Sequence, residues 1–244
     1  MSAPDFSEMT LTEHLAELRT RLIRAMMGIA VGFAICYGES QRVLDFVLAP
    51  LERVLPEDST IQFTSLPEPF FVHLKVSALA GFFLASPWVF YQLWKFVAPG
   101  LYAQEKRMAL PFVFLSTLFF TCGSVFCFYY VFPVTFEYFM TFGTADIRPI
   151  PKLGEYFSLV TKLLLGFGIV FELPVVCFFL GRMGILHWRP MVSAWRYITV
   201  MIFIVAAVLT PPDPVSQVML AAPLMILYGI SVVVVAVTGA KDTV

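Results

Sequence analysis

Three groups of side chains in this sequence have the type and placement to do chemistry. The first is Glu172, an acid deep in the apolar run YFSLVTKLLLGFGIVFELPVVCFFLG. A helix from Tyr156 puts it about 24 Å from one end of that run and about 13 Å from Gly181 near the other. A short carboxylic side chain does not reach water from there, so it must face other protein groups or a wet cavity. Two readings stand open: a protonated strut bonded to a neighbouring helix, helped by carbonyls that Pro174 frees, or the acid of a functional intramembrane site. Lys162 is about 280° round the wheel and is not its same-helix partner. The second group is the charged row of TLTEHLAELRTRLIR at 10–24. Glu13, Glu17, Arg21 and Arg24 share one face, opposite a narrow stripe of Leu11, Leu15, Leu18 and Leu22. Thr10 and Glu13 have capping-box spacing, and Glu17 and Arg21 are an i,i+4 ion pair on a face expected to be solvated. The third is Glu105, between APGLYAQ and the cations Lys106 and Arg107. Residue chemistry alone gives neither Glu17 nor Glu105 a task.

The chemistry that is missing narrows the function further. The sequence has no HExxH, GxSxG, P-loop or GxGxxG pattern. His14, His73 and His187 are scattered, so an enzyme, a metal site or a cofactor is not expected. Cys36, Cys122, Cys127 and Cys177 all lie in apolar segments without CxxC spacing and read as small packing residues. No internal inverted repeat of the kind found in secondary transporters stands out.

The elements that must position these residues follow from composition. With 59% hydrophobic and 14% charged residues, the chain holds more apolar surface than one soluble core can hide, which makes it a polytopic membrane protein. Its net charge of -1 and lack of basic runs give no indication of nucleic acid. The first 20 residues have no apolar h-region, so no cleavable targeting peptide is expected and the first span stays as an anchor. Runs long enough to cross about 30 Å of hydrocarbon fall at 22–37, 70–96, 108–132, 156–180, 194–209 and 214–237. The fold class is therefore an all-α polytopic membrane protein, one domain over 1–244. It has six transmembrane helices, an N-terminal amphipathic interfacial helix and an external helical cap loop.

Charge sets the orientation. Arg19, Arg21, Arg24, Lys95, Lys106, Arg107, Arg182, Arg189, Arg196 and Lys241 fall on one side, and only Arg42, Arg53, Arg148 and Lys152 on the other. The positive-inside rule then places both termini in the cytoplasm. Lys75 and Lys162 lie just inside outer span ends, within snorkelling reach of the headgroups. In the external loop Val43, Val47, Leu51 and Val54 make a helical pattern interrupted by Pro50. Pro87 predicts a kink in the second span, with Phe90, Tyr91, Trp94 and Phe96 as an aromatic belt below it. The fifth run rises only about 21 Å and the sixth is broken by Pro223, so thinning of the bilayer or a covering partner is expected there.

Over nearly its whole length the chain resembles the TatC family, the multispanning subunit of the twin-arginine protein translocase. The resemblance rests on HLAELRTRL at 14–22, LAPL at 48–51, SPWVFYQLWKFVAPGLYAQEKR at 86–107, FGIVFELPV at 167–175 and TPPDPVSQ at 210–217. It implies a receptor without enzymatic activity for signal peptides bearing two consecutive arginines, which exports folded cargo with the proton-motive force. It also implies residence in the bacterial inner membrane, single-span TatA-like and TatB-like partners and further copies of the chain. The family's signal-binding acids match Glu17 and Glu105. Arg19, Pro50 and Phe96 match motif members that shape or support the site, and Glu172, Asp213 and Gln217 match polar positions of the later spans. Gln104 stands where many relatives have His, a departure that touches neither acid. The reading from a different class is an ion- or proton-coupled small-solute transporter that uses Glu172.

Overall fold

The computed structural model describes residues 11–55, 60–97, 109–143, 150–209 and 214–239. Thr10, Glu105 and Asp213 lie outside these. The described elements are helical: α1 (Leu11–Tyr37), α2 (Ser40–Glu52), α3 (Glu68–Val97), α4 (Ala109–Phe126), a π-helical turn (Cys127–Val131), α5 (Phe132–Met140), α6 (Leu153–Phe171), α7 (Leu173–Arg182), α8 (Trp188–Ser193), α9 (Trp195–Leu209) and α10 (Pro214–Thr238). Five stretches are long and apolar enough to cross a membrane: Thr12–Tyr37, Glu68–Val97, Leu110–Met140, Leu153–Arg182 and Gln217–Thr238. The sixth, α9, has only 15 residues, a rise of about 22 Å.

The amphipathic segment and the first span form one unbroken helix, and the leucine stripe does not cover the protein. Leu15 and Leu22 are 62% and 60% exposed, while His14, Glu17, Arg21, Ala25, Gly28 and Gly32 form the half-buried seam against α3. The expectation that the charged face looks to water is corrected for Glu17 and Arg21. In a bilayer the leucines lose nothing by facing lipid, whereas polar groups need partners. The seam closes at Gly32 and Gly81, where a Cβ on Gly32 would lie 2.4 Å from the Gly81 carbonyl oxygen. Small residues allow backbones this close, which is how helices associate without a hydrophobic drive between them.

Proline positions account for the remaining differences. The third span does not end at Phe132. The π-helical turn widens the ladder just before Pro133, and the helix continues through α5 to Met140. Phe136 of α5 then packs on Tyr156 of α6, ring centroids 5.3 Å apart. Pro223 does not break α10, and Pro50 is buried near the end of a continuous α2. Pro174 does interrupt its span, and Glu172 is the residue between α6 and α7. Trp94 is no belt residue: it is 1% exposed, stacks on Phe112 at 4.3 Å and meets the edge of Phe179 at 5.0 Å. All four cysteines are free, with Cys127 and Cys177 buried and Cys122 exposed.

The main core joins α2, α3, the π-helical turn, α5, α6, α9 and the first half of α10. A smaller cluster of Cys177, Met191 and Val235 holds α7, α8 and the end of α10. The cap formed by α2 and the segment after it is tied down by hydrogen bonds. The Tyr156 hydroxyl donates to the Val47 carbonyl at 2.7 Å, and Gln62 pairs with Lys152 in an isolated β-bridge. Lys75 and Lys162 are both exposed.

Candidate functional site at the α1–α3 seam

Glu17 is placed by the helical repeat of α1, which turns positions 14, 17 and 21 toward the last turns of α3. Its Oε1 accepts from Arg21 twice, from Nε at 3.3 Å and Nη2 at 3.0 Å, with both side chains 19% exposed. This is not the fork arrangement in which a guanidinium engages both carboxylate oxygens. The second oxygen, Oε2, is buried and has no hydrogen-bond partner. Arg21 reaches across the seam as well, and its Nη1 donates to Oε1 of Gln92 at 3.4 Å. Gln92 is 2% exposed. Residue chemistry had not singled it out, and an uncharged amide amid the aromatic run FYQLWKF gives no periodic signal.

Aromatic contacts flank the carboxylate on both sides. One turn earlier, His14 stacks on Phe96 with centroids 4.5 Å apart and planes at 26°. Toward the membrane, the Trp88 indole N–H donates to the Arg24 carbonyl at 2.9 Å. Gly28 gives that indole its place, since a Cβ there would lie 2.4 Å from Trp88 Cδ1. Backbone hydrogen bonding and ring stacking thus fix the α1 register against α3 on either side of Glu17. Arg19 is exposed and off this seam.

The other expected residues do not join this site. Pro50 belongs to α2, and Glu17 stands 20 residues before the far end of α1 at Tyr37, about 30 Å away at 1.5 Å per residue. Glu172 lies at the α6–α7 junction facing Ser116 and Phe120 of α4. Its Oε1 and the Ser116 hydroxyl are both buried without a hydrogen-bond partner, so the two polar groups are neighbours without good bonding geometry. Gln217 donates from Nε2 to the Phe203 carbonyl at 2.9 Å, joining the start of α10 to the middle of α9. Among the described residues no cluster of three or more His, Cys, Asp or Glu could hold a metal ion.

One functional group was missed although its signal was present. Glu68 follows Ser65 at capping-box spacing. Its Oε2 accepts from the N–H groups of Thr64 at 2.7 Å and Ser65 at 3.2 Å, and Oε1 accepts from Gly154 N–H at 2.8 Å. It joins the loop before α3 to the first turn of α6.

These features define a multi-pass helical membrane protein with a half-paired carboxylate at one helix seam and a buried polar group in a broken span. Residues 13–223 match the family model described as Sec-independent protein translocase protein (TatC). The chain is 46% identical over 94% of its length to the Sec-independent protein translocase protein TatC of Desulforapulum autotrophicum, covering 85% of that protein. It is 44% identical over 91% of its length to the TatC of Magnetococcus marinus, covering 82% of it. A crystal structure of the twin-arginine translocase receptor TatC superposes with a TM-score of 0.82 at 34% identity, over 91% of this chain and 98% of that one. The chain belongs to the TatC family.

Proposed function

We propose that this chain is the signal-peptide receptor and core subunit of a twin-arginine translocase, exporting folded proteins with energy from the proton-motive force. The observation that carries this reading is the state of Glu17, with one oxygen on Arg21 and the other buried and unpartnered. The Arg21 pair engages only one carboxylate oxygen and so forgoes the gain of a fork-to-fork geometry. A signal-peptide arginine presenting a planar fork to both oxygens makes that gain and displaces Arg21, whereas lysine offers only a point charge. Glu105, in the connection that follows α3, receives the second arginine. The stack of His14 on Phe96 holds that end of the seam in place, while Arg19 acts from the exposed face of α1 and Pro50 shapes the cap at the far end of α1 rather than this site.

The chain sits in the bacterial inner membrane, and its Lys and Arg distribution supports an orientation with both termini cytoplasmic. The short α9 and Gln217 at the start of α10, together with Asp213 of the preceding TPPDP segment, meet single-span TatA-like and TatB-like partners where the bilayer is thin. Glu172 is a polar position for the later steps of transport, and further copies of the chain complete the assembly. Family membership leaves the small-solute transporter without support.

The test is binding of a synthetic peptide with consecutive arginines and an apolar stretch to the full chain in lipid nanodiscs. Glu17→Ala and Glu105→Ala are each expected to weaken binding at least tenfold, in line with loss of hydrogen bonds to a charged group. Binding equal to wild type in both variants overturns the assignment.

A further inference from the structure

We propose that Gln92 is a positioning residue of the signal site: it holds Arg21 after an incoming guanidinium has displaced it from Glu17. This rests on the reading of Glu17 as a receptor acid and adds how that acid becomes available. Arg21 already spans both acceptors, with Nε and Nη2 on Glu17 Oε1 and Nη1 on Gln92 Oε1. The Gln92 contact is the longest of the three at 3.4 Å, and it is made to a neutral amide. In the resting state the carboxylate holds Arg21 more strongly than the amide does.

Arrival of a second guanidinium reverses this order. Two cations compete for one carboxylate, and the newcomer can also use Oε2, which Arg21 leaves empty. A displaced Arg21 needs an acceptor within reach, because it is only 19% exposed and burying an unpaired charge is costly. Gln92 is that acceptor. It is 2% exposed and sits on α3, across the seam from Arg21. An uncharged acceptor suits the role: a carboxylate there would hold Arg21 permanently, and an apolar side chain would leave Arg21 no place except Glu17. The amide therefore tunes how readily Glu17 is surrendered to cargo without itself touching the signal peptide.

A double-mutant cycle on the full chain in nanodiscs tests this, with the Arg-Arg peptide as the probe and thermal unfolding as the control for folding. Gln92→Leu is expected to weaken binding roughly tenfold in the native background and less than twofold in the Arg21→Gln background, a coupling typical of residues acting through one another. Arg21→Gln alone should tighten binding. Equal losses from Gln92→Leu in both backgrounds overturn the proposal. Where Gln92→Leu fails to fold, Gln92→Glu replaces it: drawing Arg21 off Glu17, it should tighten binding, and only while Arg21 is present. Unchanged or weaker binding by Gln92→Glu overturns the proposal. Glu17→Gln separates the two levels of argument, because binding that survives it removes the receptor acid itself, whereas lost binding with an additive cycle removes only the role of Gln92.

Discussion

Glu68 on α3 and Gly154 on α6 are joined by a 2.8 Å hydrogen bond from the Gly154 N–H to Oε1, while the other oxygen of the same carboxylate accepts from Thr64 and Ser65. A single acid thus binds two backbone amides of the turn that leads into one helix and satisfies an orphan amide in the first turn of another. Glu68→Gln keeps the shape but loses the charge that strengthens these bonds, and Glu68→Ala loses them altogether. Thermal unfolding should rank wild type above Gln and Gln above Ala. Limited proteolysis should cut the 60–67 loop faster in the same order.

A second prediction concerns the α1–α3 crossing. The atom that a Cβ on Gly32 would meet at 2.4 Å is a backbone carbonyl oxygen, not the end of a flexible side chain, so the neighbour cannot rotate away. Gly32→Ala should cost about 1–3 kcal/mol by overpacking, and Gly32→Leu more. Disulfide trapping between cysteines placed at Ala25 and on the facing turn of α3 should fall in parallel, since α1 packs chiefly on α3.

Two serines of α4 give a third prediction because they differ in what they bond. The Ser124 hydroxyl is shared between the Phe120 carbonyl at 3.1 Å and the Leu164 carbonyl at 3.0 Å, joining α4 to α6. The Ser116 hydroxyl is buried without a partner. Interhelical hydrogen bonds in membranes are worth about 0.6 kcal/mol on average and up to about 1.7. Ser124→Ala should therefore lower the unfolding midpoint measurably, and Ser116→Ala should leave it unchanged or raise it. A loss at Ser116 as large as at Ser124 would show that Ser116 does bond Glu172.

What could be read from the sequence was what hydrophobicity and depth determine. Six apolar runs were legible, and so was the need of Glu172 for protein neighbours, because a bilayer penalises every exception to apolarity. Prolines were read less well. A proline removes one donor, and its consequence depends on what the surrounding helices tolerate: Pro133 is absorbed by a π-helical turn, Pro223 by an unbroken α10, and only Pro174 divides its span. The face of α1 was misread for a related reason. Amphipathicity shows which residues share a side but not which side meets a partner helix, and here the partner takes His14, Glu17 and Arg21. Gln92 was invisible because its role depends wholly on a residue 71 positions away.

A fourth prediction follows from Tyr156, 6% exposed, whose hydroxyl donates at 2.7 Å to the Val47 carbonyl. Tyr156→Phe removes the donor with little change of shape and leaves a buried carbonyl with one bond fewer. The expected cost is about 0.5–1.5 kcal/mol, read as a lower unfolding midpoint. The stacking with Phe136 survives the substitution, so a cysteine pair bridging α5 and α6 should still oxidise at the wild-type rate. Tyr156→Ala should lose both.

The last prediction turns on the length of α9. Its 15 residues rise about 22 Å, against about 30 Å of hydrocarbon in a typical bilayer. Neighbouring spans of up to 31 residues can tilt to fit, but a short helix can only draw the membrane in or expose its ends to apolar chains, at a fraction of a kcal/mol per Å of mismatch. Near its middle α9 is coupled to the start of α10 through the Gln217 bond to Phe203, and that polar contact lies deeper in hydrocarbon as the bilayer thickens. Unfolding midpoints measured in nanodiscs of lipids with progressively longer acyl chains should therefore fall as thickness grows. Gln217→Ala, which removes this polar link between α9 and α10, should flatten the dependence. A midpoint that rises with chain length would mean that α9 fits an ordinary bilayer by the packing of its neighbours, and that its shortness does not thin the membrane.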